Sequence, residues 1–174
     1  MLPDGVELLR LTPHSDGRGV FTELFRNSWG LSVAPVQWNA VRSEPNVLRG
    51  VHVHWRHSDY LTVPVGRATV GLHDLREGSP TEGLGVIVEL GAAESAAVVI
   101  PPGIAHGFYF HEPSLHVYAV SHDWDPADEL GCRWDDPGLG IPWPCTTPLL
   151  SERDASAGSL SDLRNAWQEA LAAA

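Results

Sequence analysis

The histidines of this sequence are the residues whose types and spacing point most directly to chemistry. His52 and His54 are separated by one residue, so on a β-strand both imidazoles would project from the same face. Asp59 follows five positions later, and His106 comes after a turn-forming Pro-Pro-Gly at residues 101–103. Imidazole and carboxylate together suit Fe(II), Mn(II), Ni(II), Co(II) or Zn(II). These four residues are a candidate metal ligand set; the alternative is that the histidines hydrogen-bond a substrate in a metal-free pocket.

The same spacing resembles the two-part sequence signature of metal-binding cupins. The first part, H-x-H-x(4)-carboxylate-x(6)-G, and the second part, P-x-G-x(2)-H, are filled by His52, His54, Asp59 and Gly66 and by Pro101, Gly103 and His106. The resemblance implies a small barrel that holds one divalent metal ion inside it. The acidic residue of that signature is usually Glu, and Asp59 would have to lie closer to the metal because its side chain is shorter.

Short runs with the composition of β-strands recur along the chain, separated by Gly, Pro, Asp or Ser. They are VELLRL, VFTELF, VQWNAV, VLRGVHVHW, YLTVPVG, ATVGLHDL, GVIVEL, AAVVIP, GFYF and LHVYAVS. Many short strands at near-regular spacing predict a mainly all-β fold, a sandwich or a barrel. The resemblance to the cupin signature implies that it is a cupin or jelly-roll barrel. Tight corners between strands are expected at Gly66, at Gly71 and at residues 101–103.

The C-terminal part of the chain has a different pattern. Residues 127–158 are irregular, with several prolines and with Trp134 and Trp143. After them, apolar residues recur at helical spacing and predict a C-terminal helix over 159–174. The residues of this apolar stripe are Leu160, Leu163, Trp167 and Leu171. We therefore expect one domain over 1–174, with the barrel and its flanking strands at about 5–158 and the helix packed on the barrel.

Composition excludes several classes of function. The formal net charge of −11 makes nucleic acid a poor partner, since the surface repels phosphate backbones. All 11 basic residues are Arg, which excludes lysine Schiff bases, including those of pyridoxal phosphate, and no organic cofactor is expected. No apolar run approaches membrane-spanning length and no signal-peptide pattern is present, so the sequence predicts a cytoplasmic protein without a membrane partner.

A series of short motifs extends from about residue 5 to about residue 160. In chain order they are DGRGVFTE (16–23), QWN (37–39), LRGVH (48–52), DLR (74–76), SPT (79–81), IPPGIAHGF (100–108), WDDP (134–137), IPWP (141–144) and LSERD (150–154). These motifs resemble those of the dTDP-4-dehydrorhamnose 3,5-epimerase family. The resemblance implies a metal-free cupin homodimer that exchanges N-terminal strands between subunits. It also implies inversion of carbons beside the 4-keto group of a nucleotide-linked 6-deoxyhexose.

The resemblance further implies roles for individual residues. His52 would be the base that removes the proton next to the ketone, and Asp154 would orient the imidazole and stabilise its charged form. The small-molecule substrate, a nucleotide-sugar, would be bound by Arg18, Phe21, Glu23, Gln37, Asn39, Arg49, His106, Trp124 and Tyr118.

The sequence departs from the family pattern at three positions. Asp59 replaces the family's enolate-stabilising Lys, His54 replaces a Gln, and Trp124 replaces the Tyr that returns a proton. An indole cannot donate a proton at physiological pH, which favours a single epimerisation over a double one. The changes at 54 and 59 together recreate the metal-cupin ligand set, in which a divalent cation would replace the lysine.

Three hypotheses follow from these residues. The first is an epimerase or isomerase of a nucleotide-linked 4-keto-6-deoxysugar, in deoxysugar or secondary-metabolite biosynthesis. The second is a metal-dependent cupin enzyme, an isomerase, cyclase or oxygenase, and the third is a non-catalytic binding cupin. The first two assign exclusive roles to His52, because an imidazole that ligates a metal has no free lone pair with which to act as a base.

Overall fold

The computed structural model describes residues 1–173, apart from the side chain of Ala127. The strands in this part of the chain are β1 (Glu7–Arg10), β2 (Pro13–Asp16), β3 (Gly19–Thr22), β4 (Gln37–Ser43), β5 (Leu48–Val53), β6 (Asp59–Val65), β7 (Arg67–Asp74), β8 (Gly85–Gly91), β9 (Ala96–Ile100), β10 (Ile104–Phe110), β11 (Ser114–Val120) and β12 (Leu130–Gly131). The α-helices are α1 (Glu152–Ala155) and α2 (Leu160–Ala173), and short 3-10 turns lie at Asn27–Trp29, Pro126–Asp128 and Pro137–Leu139.

Most strands belong to two antiparallel sheets. The spatial order is β1-β9-β6-β11-β4 in the first sheet and β12-β5-β10-β7-β8 in the second, while β2 and β3 form a separate hairpin. Side chains from both sheets meet in one core, which includes Leu61, Val70, Leu90, Ile100 and Phe110. This packing confirms the predicted barrel of the jelly-roll type, in which alternating inward-facing residues supply the core.

The C-terminal segment covers the outer face of the second sheet. Val51 and Val53 of β5 pack there against Leu160, Leu163 and Trp167 of α2. The helix predicted from its apolar stripe is therefore confirmed, although Leu171, the last residue of that stripe, is 47% exposed. None of the helices among the described residues is long and apolar enough to cross a membrane.

The glycines at the predicted corners have two different roles. Gly66 joins β6 to β7 with φ of +81°, and a turn at residues 101–103 joins β9 to β10, so these two predictions are confirmed. The corner predicted at Gly71 is wrong, because this residue lies in the middle of β7. A Cβ at position 71 would lie 2.5 Å from the Trp143 ring. Glycine is needed there so that the C-terminal segment can approach the sheet closely.

Each of the ten predicted runs overlaps an observed strand. Two short strands were missed, β2 and β12. The sequence of β2, Pro-His-Ser-Asp, is polar and all four of its residues are exposed, so no period-two hydrophobic pattern marks it. β12 is two residues long and exists through its pairing with β5, which no local pattern predicts.

Candidate active site

A cavity of about 470 Å³ lies between the two sheets, and strands of both contribute to its lining. The polar and aromatic residues of the lining include Arg49, His52, His54, Asp59, His106, His116, Tyr118, Trp124, Glu129, Arg153 and Asp154. Because these residues come from β5, β6, β10, β11 and the segments around Trp124 and α1, the fold brings distant parts of the sequence to one place.

A His–Asp pair occupies one part of the lining. His52 Nε2 lies 2.7 Å from Asp154 Oδ1. Asp154 is buried in α1, the one-turn helix that Ser151 caps by accepting a hydrogen bond from the Asp154 amide at 3.1 Å. The Gly50 amide donates to the second carboxylate oxygen, Oδ2, at 3.4 Å. The short helix therefore fixes the carboxylate against the imidazole.

The protonation of this pair follows from its contacts. Burial acts to raise the pKa of Asp154, but the hydrogen bond and charge of His52, together with Ser151 and the Gly50 amide, lower it overall. An ionised carboxylate only accepts hydrogen bonds, so His52 Nε2 carries the proton and donates to it. His52 Nδ1 is then left with a lone pair, the arrangement of a general base held by a carboxylate.

Three imidazoles surround one carboxylate in a second group, which we call the histidine cluster: His54, His57, His106 and Asp59. The Nε2 atoms of His57 and His106 each lie 3.8 Å from Asp59 Oδ2, and that of His54 lies 3.9 Å from it. All four residues are buried. Ligand atoms of His54, His57 and Asp59 all lie within 4.8 Å of one another.

Each imidazole of the histidine cluster is held at its other nitrogen by an oxygen. His54 Nδ1 lies 3.1 Å from the Asp128 carbonyl, His57 Nδ1 lies 2.8 Å from Asp128 Oδ2, and His106 Nδ1 lies 2.9 Å from the Ile104 carbonyl. Carbonyl and carboxylate oxygens accept hydrogen bonds, so in the neutral imidazoles the proton lies on Nδ1. The three Nε2 lone pairs therefore point into the cluster.

Burial sets the charges of the histidine cluster. It lowers the pKa of His54 to about 2, with further lowering by the neighbouring histidines, and it lowers the pKa of His106 to about 4. Burial, followed by the charges of Glu129 and Asp128, raises the pKa of Asp59 well above its ordinary value. The imidazoles are therefore neutral at pH 7, and they offer lone pairs rather than positive charge to Asp59.

A family model described as dTDP-4-dehydrorhamnose 3,5-epimerase matches residues 3–162. The chain belongs to this epimerase family. The dTDP-4-dehydrorhamnose 3,5-epimerase of Pseudomonas aeruginosa is 38% identical over 173 residues, which cover 92% of this chain and 93% of that relative.

Two solved epimerase structures match the chain over nearly its whole length. NovW, a 4-keto-6-deoxy sugar epimerase from the novobiocin biosynthetic gene cluster of Streptomyces spheroides, is 33% identical with a TM-score of 0.87 and covers 96% of this chain and 88% of its own. ChmJ, a 3'-monoepimerase from Streptomyces bikiniensis in complex with dTDP-quinovose, is 31% identical with a TM-score of 0.86 and covers 99% and 96%. The family membership predicted from the ordered motifs is confirmed.

The residues that the epimerase resemblance assigns to substrate binding fall into two groups. Arg49, His106, Trp124 and Tyr118 line the cavity. Trp124 is 53% exposed, and its indole N–H donates to Glu129 Oε1 at 3.1 Å. Trp124, which stands where the resemblance places a proton-returning Tyr, thus donates a hydrogen bond to a carboxylate.

The second group of epimerase substrate residues is outside this lining: Arg18, Phe21, Glu23, Gln37 and Asn39. Arg18 and Phe21 are exposed on the β2–β3 hairpin. Gln37 lies closer to the cavity, because its Oε1 accepts a hydrogen bond from the Trp124 amide at 2.9 Å. The folded chain thus brings some of the predicted substrate residues into the cavity and leaves the hairpin residues elsewhere.

The predicted metal ligands are also divided. His54, Asp59 and His106 lie together in the histidine cluster, whereas His52 is paired with the carboxylate in α1. β5 ends at Val53, so strand alternation no longer fixes the direction of the residue that follows it. The fourth residue of the histidine cluster is His57 and not His52.

Several residues of the site were missed by the sequence analysis. For His57 a signal was present, since the segment HVHWRH places three histidines within six residues. Asp128 had no local signal, because it is 71 residues from the His57 that it holds. Glu129 and Arg153, an ion pair of 2.9 Å in the cavity lining, were missed for the same reason.

Proposed function

We propose that this chain epimerises one carbon next to the ketone of a dTDP-linked 4-keto-6-deoxysugar. The observation that carries the proposal is the His52–Asp154 pair in the lining of a cavity of about 470 Å³. Two structural relatives support the substrate class: NovW is described as a 4-keto-6-deoxy sugar epimerase, and ChmJ is a monoepimerase in complex with dTDP-quinovose.

The first step is removal of a proton from the carbon beside the ketone. His52 Nδ1 accepts this proton, and the imidazolium that results donates its Nε2–H to Asp154, which is ionised. The carboxylate both orients the ring and stabilises the positive charge that develops on it. General base catalysis of this kind contributes about 10²- to 10⁴-fold to a rate.

The second step returns a proton to the opposite face of the enolate. Trp124 cannot supply it, because an indole N–H is not acidic at physiological pH. Tyr118 is the tyrosine that the described cavity lining contains, and we propose that it is the donor. Burial raises the pKa of the Tyr118 hydroxyl, with the charges of Asp59 and Glu129 adding to the effect, so the phenol is protonated and available.

The nucleotide part of the substrate requires positive charge. Arg49 lies in the cavity lining, where its Nε donates to Ser43 Oγ at 3.1 Å. A guanidinium held by such a contact is well shaped to bind a diphosphate through its remaining N–H groups. We therefore assign the diphosphate of dTDP to the Arg49 side of the cavity.

We also propose that the protein acts as a homodimer. The β2–β3 hairpin pairs with no other strand of the described chain, and nearly all of its residues are exposed. It carries Arg18 and Phe21, two of the predicted substrate residues. A partner subunit that receives this hairpin at its own cavity would use both, and light scattering of the purified protein tests the expected twofold mass.

The proposed reaction is tested by proton exchange in D₂O. The protein is incubated with dTDP-4-keto-6-deoxyglucose, and NMR follows the hydrogens on the two carbons that flank the ketone. We expect deuterium to enter at one of these carbons. His52→Asn should slow this exchange by about 10²- to 10⁴-fold, because it removes the base and keeps a side chain of similar shape.

The matched control is His122→Asn, which changes an exposed histidine outside the cavity lining. It should exchange at the wild-type rate. Wild-type protein that leaves both carbons unlabelled contradicts the proposed function, and equal rates for His52→Asn and wild type contradict the assignment of the base.

A further inference from the structure

We propose that His54, His57, His106 and Asp59 bind one divalent transition-metal ion beside the His52–Asp154 pair. Three of these residues line the cavity, and His57 lies behind them. The binding does not depend on the proposed epimerase reaction. It rests on the hydrogen bonds that hold the three imidazoles at Nδ1, and on the absence of a hydrogen-bond donor to the Asp59 carboxylate among the described residues.

The outer contacts of the imidazoles select one tautomer. Each Nδ1–H is directed to an oxygen acceptor, and two of the three acceptors belong to Asp128. Metal-ligating histidines almost always donate their second ring N–H to a carboxylate or a backbone carbonyl in this way, which fixes the ring and turns the other nitrogen to the metal. The structure thus supplies the outer support of a metal site for each of its three histidines.

The inner atoms of the histidine cluster have no protein donor. The Asp59 carboxylate accepts no hydrogen bond from any residue that the structure describes, and three imidazole lone pairs face its Oδ2. A buried carboxylate surrounded by lone pairs is unfavourable without a cation. A proton on Asp59 would neutralise the charge, but at 3.8 to 3.9 Å it would form no hydrogen bond to the imidazoles.

The spacing is close to that of a coordinated ion. With metal–ligand distances near 2.0–2.1 Å, neighbouring ligands of a tetrahedral site lie about 3.4 Å apart. The observed Nε2–Oδ2 distances, 3.8 to 3.9 Å, are about 0.5 Å longer than this. Ligand atoms of His54, His57 and Asp59 lie within 4.8 Å of one another, and His106 joins this group through its approach to Asp59, so the four side chains must rotate inward to enclose an ion. Three imidazoles and one carboxylate favour Zn(II), Co(II), Fe(II), Mn(II) or Ni(II) over Mg(II) and Ca(II), which prefer oxygen ligands.

The position of the proposed metal site in the cavity suggests that the ion stabilises the enolate. The chain contains no Lys, and Asp59 stands where the resemblance places the lysine that stabilises the enolate. A bound divalent cation would supply the positive charge for the substrate oxygen. This use rests on the proposed function, whereas the binding does not. His52 stays with Asp154 and keeps a free lone pair, so a base and a metal can coexist in the cavity.

Metal content and the spectrum of a cobalt-substituted protein test the site directly. Protein purified without chelators is analysed for all five metals, then stripped, and titrated with Co(II). We expect about one ion per chain and d–d absorption bands of a nitrogen- and oxygen-ligated centre. Wild-type protein that takes up none of the five metals stoichiometrically overturns the proposal.

Substitutions distinguish this ligand set from the one expected from sequence. His57→Gln and Asp59→Asn should each weaken Co(II) binding by at least about 10-fold, whereas His52→Gln should bind Co(II) as wild type does. His122→Gln, on the surface, is the control for loss of a histidine. If His52→Gln loses the ion and His57→Gln retains it, the proposed set is wrong, and the ligands are those predicted from sequence spacing, which include His52 in place of His57.

Folding and activity are measured separately from metal binding. Circular dichroism identifies any variant that does not fold, and in that case the cobalt spectrum of wild-type protein decides, since a centre without imidazole nitrogens contradicts the proposal. Deuterium exchange with and without metal then reports on the reaction. A protein that binds the ion but exchanges no protons would reject the epimerase proposal and leave the metal site intact.

Discussion

Asp74 and Asp59 are buried carboxylates on consecutive strands, at the end of β7 and the start of β6. Asp74 accepts hydrogen bonds from Arg76 Nε and Nη2 at 2.9 and 2.8 Å, from Ser79 Oγ at 2.6 Å and from Thr81 Oγ1 at 2.7 Å. Asp59, by contrast, has the Nε2 atoms of three neutral imidazoles 3.8 to 3.9 Å from its Oδ2.

The pKa values of the two carboxyls move in opposite directions. Burial acts to raise both, but at Asp74 the hydrogen bonds from Arg76, Ser79 and Thr81 outweigh it, and the pKa falls below its ordinary value. At Asp59 burial acts without such donors, and the pKa rises. Asp74, with a full set of hydrogen-bond donors, stabilises the scaffold. Asp59 lacks such donors and faces the cavity, which is the arrangement of a residue that binds a ligand or a metal ion.

The largest expected effect is on stability, from Asp74→Asn. This change leaves the guanidinium of Arg76 and the hydroxyls of Ser79 and Thr81 without their charged acceptor. We expect the free energy of unfolding to fall by about 3 kcal/mol, the lower end for breaking a buried pair, since Arg76 is partly exposed. Urea denaturation measures it. The control, Asp16→Asn, removes an exposed carboxylate and should change stability little; an equal loss in both would contradict the structural role of Asp74.

A smaller and more specific effect is expected on the pH dependence of stability. Because the pKa of Asp74 is lower in the folded state than in the unfolded state, its contribution is present above the unfolded value of about 3.9 and is lost as pH falls below it. Urea curves between about pH 6 and pH 3 should therefore show the gap between wild type and Asp74→Asn narrowing towards acid. A gap that is constant over this range would show that charge is not the cause.

The scaffold side of this comparison was largely predictable from sequence. Runs of β-forming residues and the helical spacing of Leu160, Leu163 and Trp167 are local patterns, and each predicted an element that the structure contains. Gly71 shows the limit of such patterns. This glycine predicted a corner between strands, but the structure requires glycine there because Trp143, 72 residues away in sequence, lies close to the face of β7.

The site was predictable in its residue types but not in its partners. Sequence spacing predicted His52, His54, Asp59 and His106 as site residues, and all four line one cavity. Which of them pair was decided by contacts between distant segments, such as the 102-residue separation between His52 and its carboxylate. Spacing within a strand gives a direction only as far as the strand continues, and β5 ends between the two histidines that the prediction grouped.

The same chemical change at the other aspartate, Asp59, should have a different effect. Asp59→Asn replaces a buried carboxyl that has no protein hydrogen-bond donor, so in metal-free protein the free energy of unfolding should be unchanged or higher by about 1 kcal/mol, whereas Asp74→Asn lowers it. Adding Co(II) should then reverse the order, because an ion stabilises only the protein that binds it. Thermal unfolding of both proteins, with chelator and with Co(II), measures this. A loss at Asp59→Asn as large as that at Asp74→Asn would mean that Asp59 belongs to the scaffold after all, and the contrast between the two carboxylates would have no functional meaning.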